Sequence, residues 1–103
     1  MAKGLYLGEF EQIILLAVLQ LQDKAYGMEV RREIEARTGR DASIGAVYST
    51  LDRLEKKGLI RSCEQDSVRP RRLYKVTAAG KRSLESTRVA LARMSEGLRL
   101  RSA

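Results

Sequence analysis

The sequence predicts a mainly α fold with one small β-hairpin, in the order helix, helix, helix, strand, strand, helix. Three observations carry this. Apolar residues recur at helical spacing in four stretches, the two runs with strand character lie next to each other between residues 59 and 76, and the single proline, Pro70, falls between those two runs. At 103 residues the chain is long enough for one hydrophobic core and one small domain.

The first helix reads from Glu9 to Gln22, with Glu9 and Glu11 in the first turn, where the helix dipole favours negative charge. Ile13, Ile14, Leu15, Leu16, Val18 and Leu19 cover every side of it. A helix that is apolar all round must be buried all round, and so small a protein can hardly surround one of its own helices. Part of this surface, with Leu15 and Leu16, is therefore expected to meet a second copy. QDKAYG, 22 to 27, is a polar turn. The second helix then runs from Gly27 to Thr38 and is closed by Gly39. Tyr26, Val30 and Ile34 form its inward stripe, while Arg31, Arg32, Glu33, Glu35 and Arg37 face out.

The third helix lies in SIGAVYSTLDRLEKKGLI, 43 to 60. Ser43 is its N-cap and Gly58 supplies the left-handed residue that ends it. Val47, Leu51 and Leu54 repeat at the spacing of one buried stripe, and Ser49, Asp52, Arg53 and Lys56 repeat on another face. Gly45 and Ala46 in the first turn are small enough for a partner surface to approach the backbone closely. Two helices in series, the second capped and exposing a polar face, form a helix-turn-helix pattern.

The hairpin follows, with strands at Leu59 to Glu64 and Arg71 to Val76 around the charged turn QDSVRP. In the second strand Tyr74 and Val76 share one face, and Leu73 and Lys75 the other. Arg69, Arg71 and Arg72 crowd the tip. Three guanidiniums so close repel one another, which makes sense if they meet phosphates. Thr77 caps a last helix expected to run to about Arg101. Leu84, Leu91 and Leu98 recur every seven residues, with Thr87 and Met94 three further on, the spacing of a coiled-coil seam. Leu84, Leu91, Met94 and Leu98 are accordingly expected at a dimer interface with Leu15 and Leu16.

Composition narrows the function. Lys plus Arg number 20 against 13 Asp plus Glu, a net charge of +7 that attracts polyanions. The longest apolar run, residues 13 to 19, is far short of the roughly 20 residues a membrane span needs, and no cleavable signal precedes it, so a cytoplasmic protein without a membrane partner is expected. There is no histidine and one cysteine, Cys63, which has no imidazole base beside it and no second thiol to pair with. No catalytic residues, metal site or cofactor are expected, since neither a zinc ligand set nor a Gly-rich phosphate loop can be assembled.

Helix, helix, helix, hairpin, helix is the order of a winged helix-turn-helix, with residues 1–76 as the DNA-binding domain and 77–103 as a C-terminal dimerisation helix. The third helix can enter the roughly 12 Å wide major groove while the wing lies along the flanking backbone. On this reading Ser43, Ser49, Arg53 and Lys56 face double-stranded DNA, with Arg69, Arg71 and Arg72 on its phosphates. Arg53 is the expected base-edge contact, because its fork can pair a guanine's O6 and N7.

LGEFEQIILLAVL at 7 to 19, AYGMEVRREI at 25 to 34, SIGAVYSTLDRLEKKGLI at 43 to 60 and RPRRLYKVTAAGKR at 69 to 82 together resemble the PadR family of bacterial transcriptional regulators. The resemblance covers about three quarters of the chain, in order. It implies a winged-helix homodimer on a palindromic operator, usually a repressor released by a small-molecule effector, here of unknown identity, or by a change in cell state. It marks Tyr26-Gly27, Tyr48, Leu51, Lys57-Gly58-Leu59, Arg72, Tyr74, Thr77 and Gly80 as family positions. Tyr48 is implied as a contact to the DNA backbone or groove edge, and Arg72 as a wing residue. Some small relatives hold flat aromatic compounds between tryptophans at the dimer interface; this sequence has no tryptophan. Two other classes of function fit the same pattern: a winged helix that binds an acidic protein, and a small-molecule sensor that uses the apolar dimer seam.

Overall fold

The computed structural model describes residues 6–99, and within them the elements follow the expected order. They are α1 (Glu9–Leu21), α2 (Gly27–Thr38), α3 (Ile44–Lys56), β1 (Ile60–Gln65), β2 (Arg71–Val76) and α4 (Ala78–Met94). β1 and β2 pair antiparallel, from Ile60 opposite Val76 to Gln65 opposite Arg71. This is a winged helix-turn-helix. No helix among the described residues is long and apolar enough to cross a membrane.

One core joins all of the elements. Ile14, Leu15, Val30, Ile34, Val47, Leu51, Leu54 and Ile60 are fully enclosed, and Leu73, Tyr74 and Leu84 close its edges. The inward stripes read at helical spacing on α2 and α3 are thus the residues that pack. Tyr26 is only half-buried. It forms an isolated bridge with Leu73, and Tyr74 donates its N–H to the Ala25 carbonyl at 2.9 Å. The sheet therefore gains a third, two-residue edge beside β2. Leu73 and Tyr74 point to opposite faces, yet both are buried, because β2 packs against α1, α2 and α4 as well as pairing with β1. The polar turn after α1 contains one 3-10 turn, Gln22–Lys24, and Gln22, expected within α1, caps it with a positive φ of 53°.

The joint between α3, the wing and α4 is made by backbone. Gly58 adopts φ +77°, and the Leu59 N–H returns to the Leu54 carbonyl at 3.0 Å, which ends α3. Thr77 then donates its hydroxyl to the Gly58 carbonyl at 2.8 Å and its N–H to the Leu59 carbonyl at 3.1 Å, while its Oγ1 accepts from the Gly80 N–H at 3.0 Å. A Cβ on Gly80 would stand 2.1 Å from the Leu59 carbonyl oxygen, so only glycine lets the first turn of α4 rest there.

The expected dimer contacts need correction in two places. Leu15 is 0% exposed and Leu84 5% exposed, both within the protomer's own core, so neither side chain is available to a second copy. The seven-residue repeat of α4 is split by depth. Its N-terminal half covers α1: Leu84 packs, and Thr87 is buried, accepting the Leu7 N–H at 3.0 Å and donating to the Ser83 carbonyl at 2.9 Å. Its C-terminal half is open, with Leu91 57% and Met94 80% exposed. Leu16 on α1 is also exposed, at 38%. The expected helix end near Arg101 lies outside the described residues, and α4 stops at Met94. Ser95 turns its hydroxyl onto the Leu91 and Ala92 carbonyls, Gly97 takes φ +81°, and Leu98 follows beyond the helix, off its stripe.

Gly80→Ala should lower stability by about 3 kcal/mol, because the new methyl meets backbone that cannot step aside. Gly45→Ala is the control. Its Cβ would meet nothing nearer than 4.0 Å, and alanine in the helix should stabilise by up to about 1 kcal/mol. Urea denaturation of the two variants beside the parent measures both.

Candidate nucleic-acid interface

α3 presents a polar face opposite its core stripe. Val47, Thr50, Leu51 and Leu54 are buried, whereas Tyr48, Ser49, Asp52, Arg53 and Lys56 are exposed. Ser43 caps the helix by accepting the Ala46 N–H at 3.0 Å, and beside it Gly45 and Ala46 are open. Lys56 stands 3.5 Å from Asp52 one turn back, an exposed pair that contributes little to stability but sets the charge pattern of the face. The start of α3 is held from α2: Arg31 donates Nε to the Ala42 carbonyl at 2.9 Å and lies 3.5 Å from Asp41.

Tyr48 leaves this face toward α2 and covers Gly27. A Cβ on Gly27 would lie 2.4 Å from the Tyr48 ring, so the first residue of α2 must be glycine for the ring to lie there. A cleft opens beside the ring, lined by Tyr26, Met28, Arg32, Tyr48, Arg71 and Arg72 among others. Its far wall is the wing. Arg71 lies over the Tyr26 ring, 3.9 Å from the centroid, a cation–π contact that holds the guanidinium against the body of the protein. Arg72 donates to Ser62 Oγ at 3.1 Å, and Ser62 donates on to Glu55 of α3 at 2.9 Å, a chain that braces the wing against α3. The crowding of three arginines read from the sequence is thus relieved for two of them by partners of their own. Arg69 belongs to the tip, where Asp66, at φ +70°, accepts the N–H groups of Val68 and Arg69. Tyr74 sits between this wall and α3. Burial, and then the nearby Tyr48 and Glu55, push its hydroxyl above the ordinary tyrosine value, so it remains a protonated donor at neutral pH.

A second charged centre lies at the other flank of α3, and sequence reasoning missed it. Glu11, read only as an acid favoured by the helix dipole, is buried with its side chain 11% exposed. Oε2 accepts from Lys57 Nζ at 3.0 Å and lies 3.5 Å from Arg53 Nε; Oε1 accepts the Gly8 N–H at 3.1 Å. Burial alone would raise this carboxyl. The hydrogen bonds from Lys57 and Gly8, the Lys57 charge and the Arg53 bond outweigh it and hold the pKa below the ordinary value. The available signal was weak: an acid three residues after Gly8 fits half a capping box, but nothing local indicates partners more than 40 residues away.

The structure therefore gathers Tyr48, Arg71 and Arg72 around one cleft; Ser49 lines a neighbouring hollow between α3 and the wing with Tyr48 and Arg72, while Ser43 stands at the tip of α3 and Arg69 in the hairpin turn. Arg53 lies apart, turned toward Glu11. Among the described residues no three His, Cys, Asp or Glu side chains cluster as a metal site.

The sequence profile of the transcriptional regulator PadR-like family matches residues 15–86. No curated protein matches the chain. Among solved structures it is similar to a PadR family transcription regulator from Clostridium difficile, at 28% identity over 84% of this chain and 92% of that one, with a TM-score of 0.69. A PadR family transcriptional regulator from Eggerthella lenta is 26% identical over 87% of this chain and 82% of that one, with a TM-score of 0.70. A winged-helix DNA-binding protein from STIV is 21% identical over 89% and 97%, with a TM-score of 0.74, a likeness of fold.

The pairing of Glu11 makes stability depend on pH. Its carboxyl is depressed in the folded protein, so the stabilisation is complete above the ordinary glutamate value of 4.5 and is lost as pH falls through the lower folded value. Glu11→Gln should destabilise by about 1–2 kcal/mol at pH 7, because Lys57 and Arg53 are about half exposed and their attraction is screened. Thermal melts between pH 3 and pH 7 should show the gap between the two proteins closing only at the acid end.

Proposed function

The chain belongs to the PadR-like family of transcriptional regulators, a winged-helix DNA-binding family and not one of enzymes, and on that footing we propose that it is a homodimeric repressor that binds a palindromic operator. The observation that carries this reading is the exposed polar face of α3 beside two anchored wing arginines, with Tyr48 and Arg72 lining the space between helix and wing. α3 enters the major groove of each half-site, with its small first turn near Ser43 approaching the base edges. Ser49 and Tyr48 reach a base or a phosphate, Lys56 supplies positive charge along the groove, and Arg53 reads a guanine. Arg69, Arg71 and Arg72 hold the backbone and contribute most of the salt dependence. Since Arg71 and Arg72 already rest on Tyr26 and Ser62, less side-chain freedom is lost when they meet phosphate.

Leu16, Leu91 and Met94 support the dimer, because a second copy laid against α1 and α4 would remove their exposed apolar surface from water. A small molecule bound along that seam would alter the angle between the two last helices and so the spacing of the recognition helices. Its effect on DNA affinity can be no larger than its preference for one arrangement over the other. Transcriptional control of this kind supports a cytoplasmic location.

Selection from a random duplex pool at near-physiological salt should recover a palindrome with half-sites about 10 base pairs apart. If no sequence is enriched, the operator reading fails. On the recovered duplex Arg53→Ala should flatten discrimination at one base pair per half-site. Arg71→Ala should weaken every sequence alike and reduce the slope of log K against log salt by about 0.9 for each protomer. Equal losses by both variants on operator and random DNA would mean that these roles are misassigned.

A further inference from the structure

Arg53 lies on the flank of α3 that faces α1, and its Nε is the atom turned to Glu11, 3.5 Å away. The guanidinium makes no other hydrogen bond among the described residues, and about half of the side chain is exposed. A carboxylate that takes Nε leaves the two Nη groups of the planar fork free and limits the directions in which that fork can point. Glu11 is itself well anchored. Gly8 donates to its other oxygen, and the adjoining Leu7 N–H is fixed to buried Thr87 of α4. The same Glu11 oxygen holds Lys57 at 3.0 Å, closer than Arg53, so this ammonium on the recognition helix already has a counter-ion.

We propose that Glu11 is a positioning residue for DNA recognition, one that aims the free fork of Arg53 at a base edge and withholds Lys57 from the phosphates. The inference rests on the role of Arg53 proposed above. One buried acid thereby favours specific over indiscriminate binding in two ways. An arginine already oriented loses less freedom on pairing with a guanine, and one cation fewer is offered to DNA of any sequence.

The test uses the full chain, the duplex recovered by selection, its single-base variants and a scrambled duplex of equal length, with Kd measured over a salt series. Lys57→Gln changes a half-exposed side chain at the end of α3 and should leave the salt slope on both duplexes as it is. A slope shallower by about 0.9 per protomer would show Lys57 on a phosphate and overturn the withholding. Glu11→Gln should lose about tenfold in discrimination at the base pair that Arg53→Ala flattens, the order of one bidentate arginine–guanine pair. Its salt slope should steepen by about 0.9 per protomer as Lys57 turns to DNA. A purely structural role would weaken operator and scrambled DNA in proportion, with the discrimination ratio and the slope unchanged, and that result overturns the proposal. Should Glu11→Gln not fold, Glu11→Asp keeps the charge but falls one methylene short of Arg53. The same loss of discrimination is expected from it, and retained discrimination counts against the idea. A parent protein that prefers no sequence overturns both the operator reading and this inference. A discriminating parent with equally discriminating variants overturns this inference alone.

Discussion

The arrangement of this protein depends on the contact between two backbones, the Leu59 carbonyl and the first turn of α4 at Gly80. The end of α3, the start of β1, the end of β2 and the cap of α4 meet there, within a few residues of Gly58 and Thr77. The wing is a two-stranded hairpin, which is marginal on its own. It keeps its angle to α3 because both of its ends are tied at this joint and because Tyr26 extends its sheet at the inner edge. The residues Lys57-Gly58-Leu59, Thr77 and Gly80 are far apart in sequence but serve this one junction.

α3 is steadied from three sides. Arg31 fixes its start through the Ala42 carbonyl, Glu11 pairs with its last turn and cap, and Glu55 joins it to the wing through Ser62 and Arg72. Each link is a polar contact worth on the order of 1 kcal/mol. Their combined effect is on geometry more than on stability, since the apolar stripe of Val47, Leu51 and Leu54 supplies the burial that keeps the helix folded. The buried stripe sets which face of α3 turns inward, and the polar links brace the helix in that position. The charged residues near α3 therefore divide into those whose charge is available and those, such as Lys57, already neutralised within the protein.

The apolar surface is divided in a similar way. α1 is apolar on every side, yet most of its residues are covered by α2, α3, the sheet and the first half of α4. What stays open on these two helices is a strip at Leu16 and Leu19 on α1 and the side of α4 that carries Val89, Leu91 and Met94. The buried Leu7–Thr87 hydrogen bond joins the first half of α4 to the segment that carries Gly8 and Glu11.

The order of elements, the helix limits at Ser43, Gly39 and Gly58, the inward stripes of α2 and α3 and the position of the hairpin were all legible in the sequence. They depend on local chemistry: the spacing of apolar residues, a hydroxyl where a cap is needed, a glycine where φ is positive. Depth along a stripe is different, because it depends on what lies opposite. Leu84 and Leu91 are indistinguishable in a seven-residue repeat, and only the position of α1 buries one and leaves the other exposed. The end of α4 at Met94 was likewise hidden in a pattern that Leu98 seemed to continue. Charge partners were least legible of all. By itself the sequence determined that this is a basic winged helix-turn-helix with a polar face on its third helix. Only the tertiary structure decided that Glu11 would meet Arg53 and Lys57, because an ion pair forms between groups that the fold brings within a few ångströms, and no local pattern records that distance.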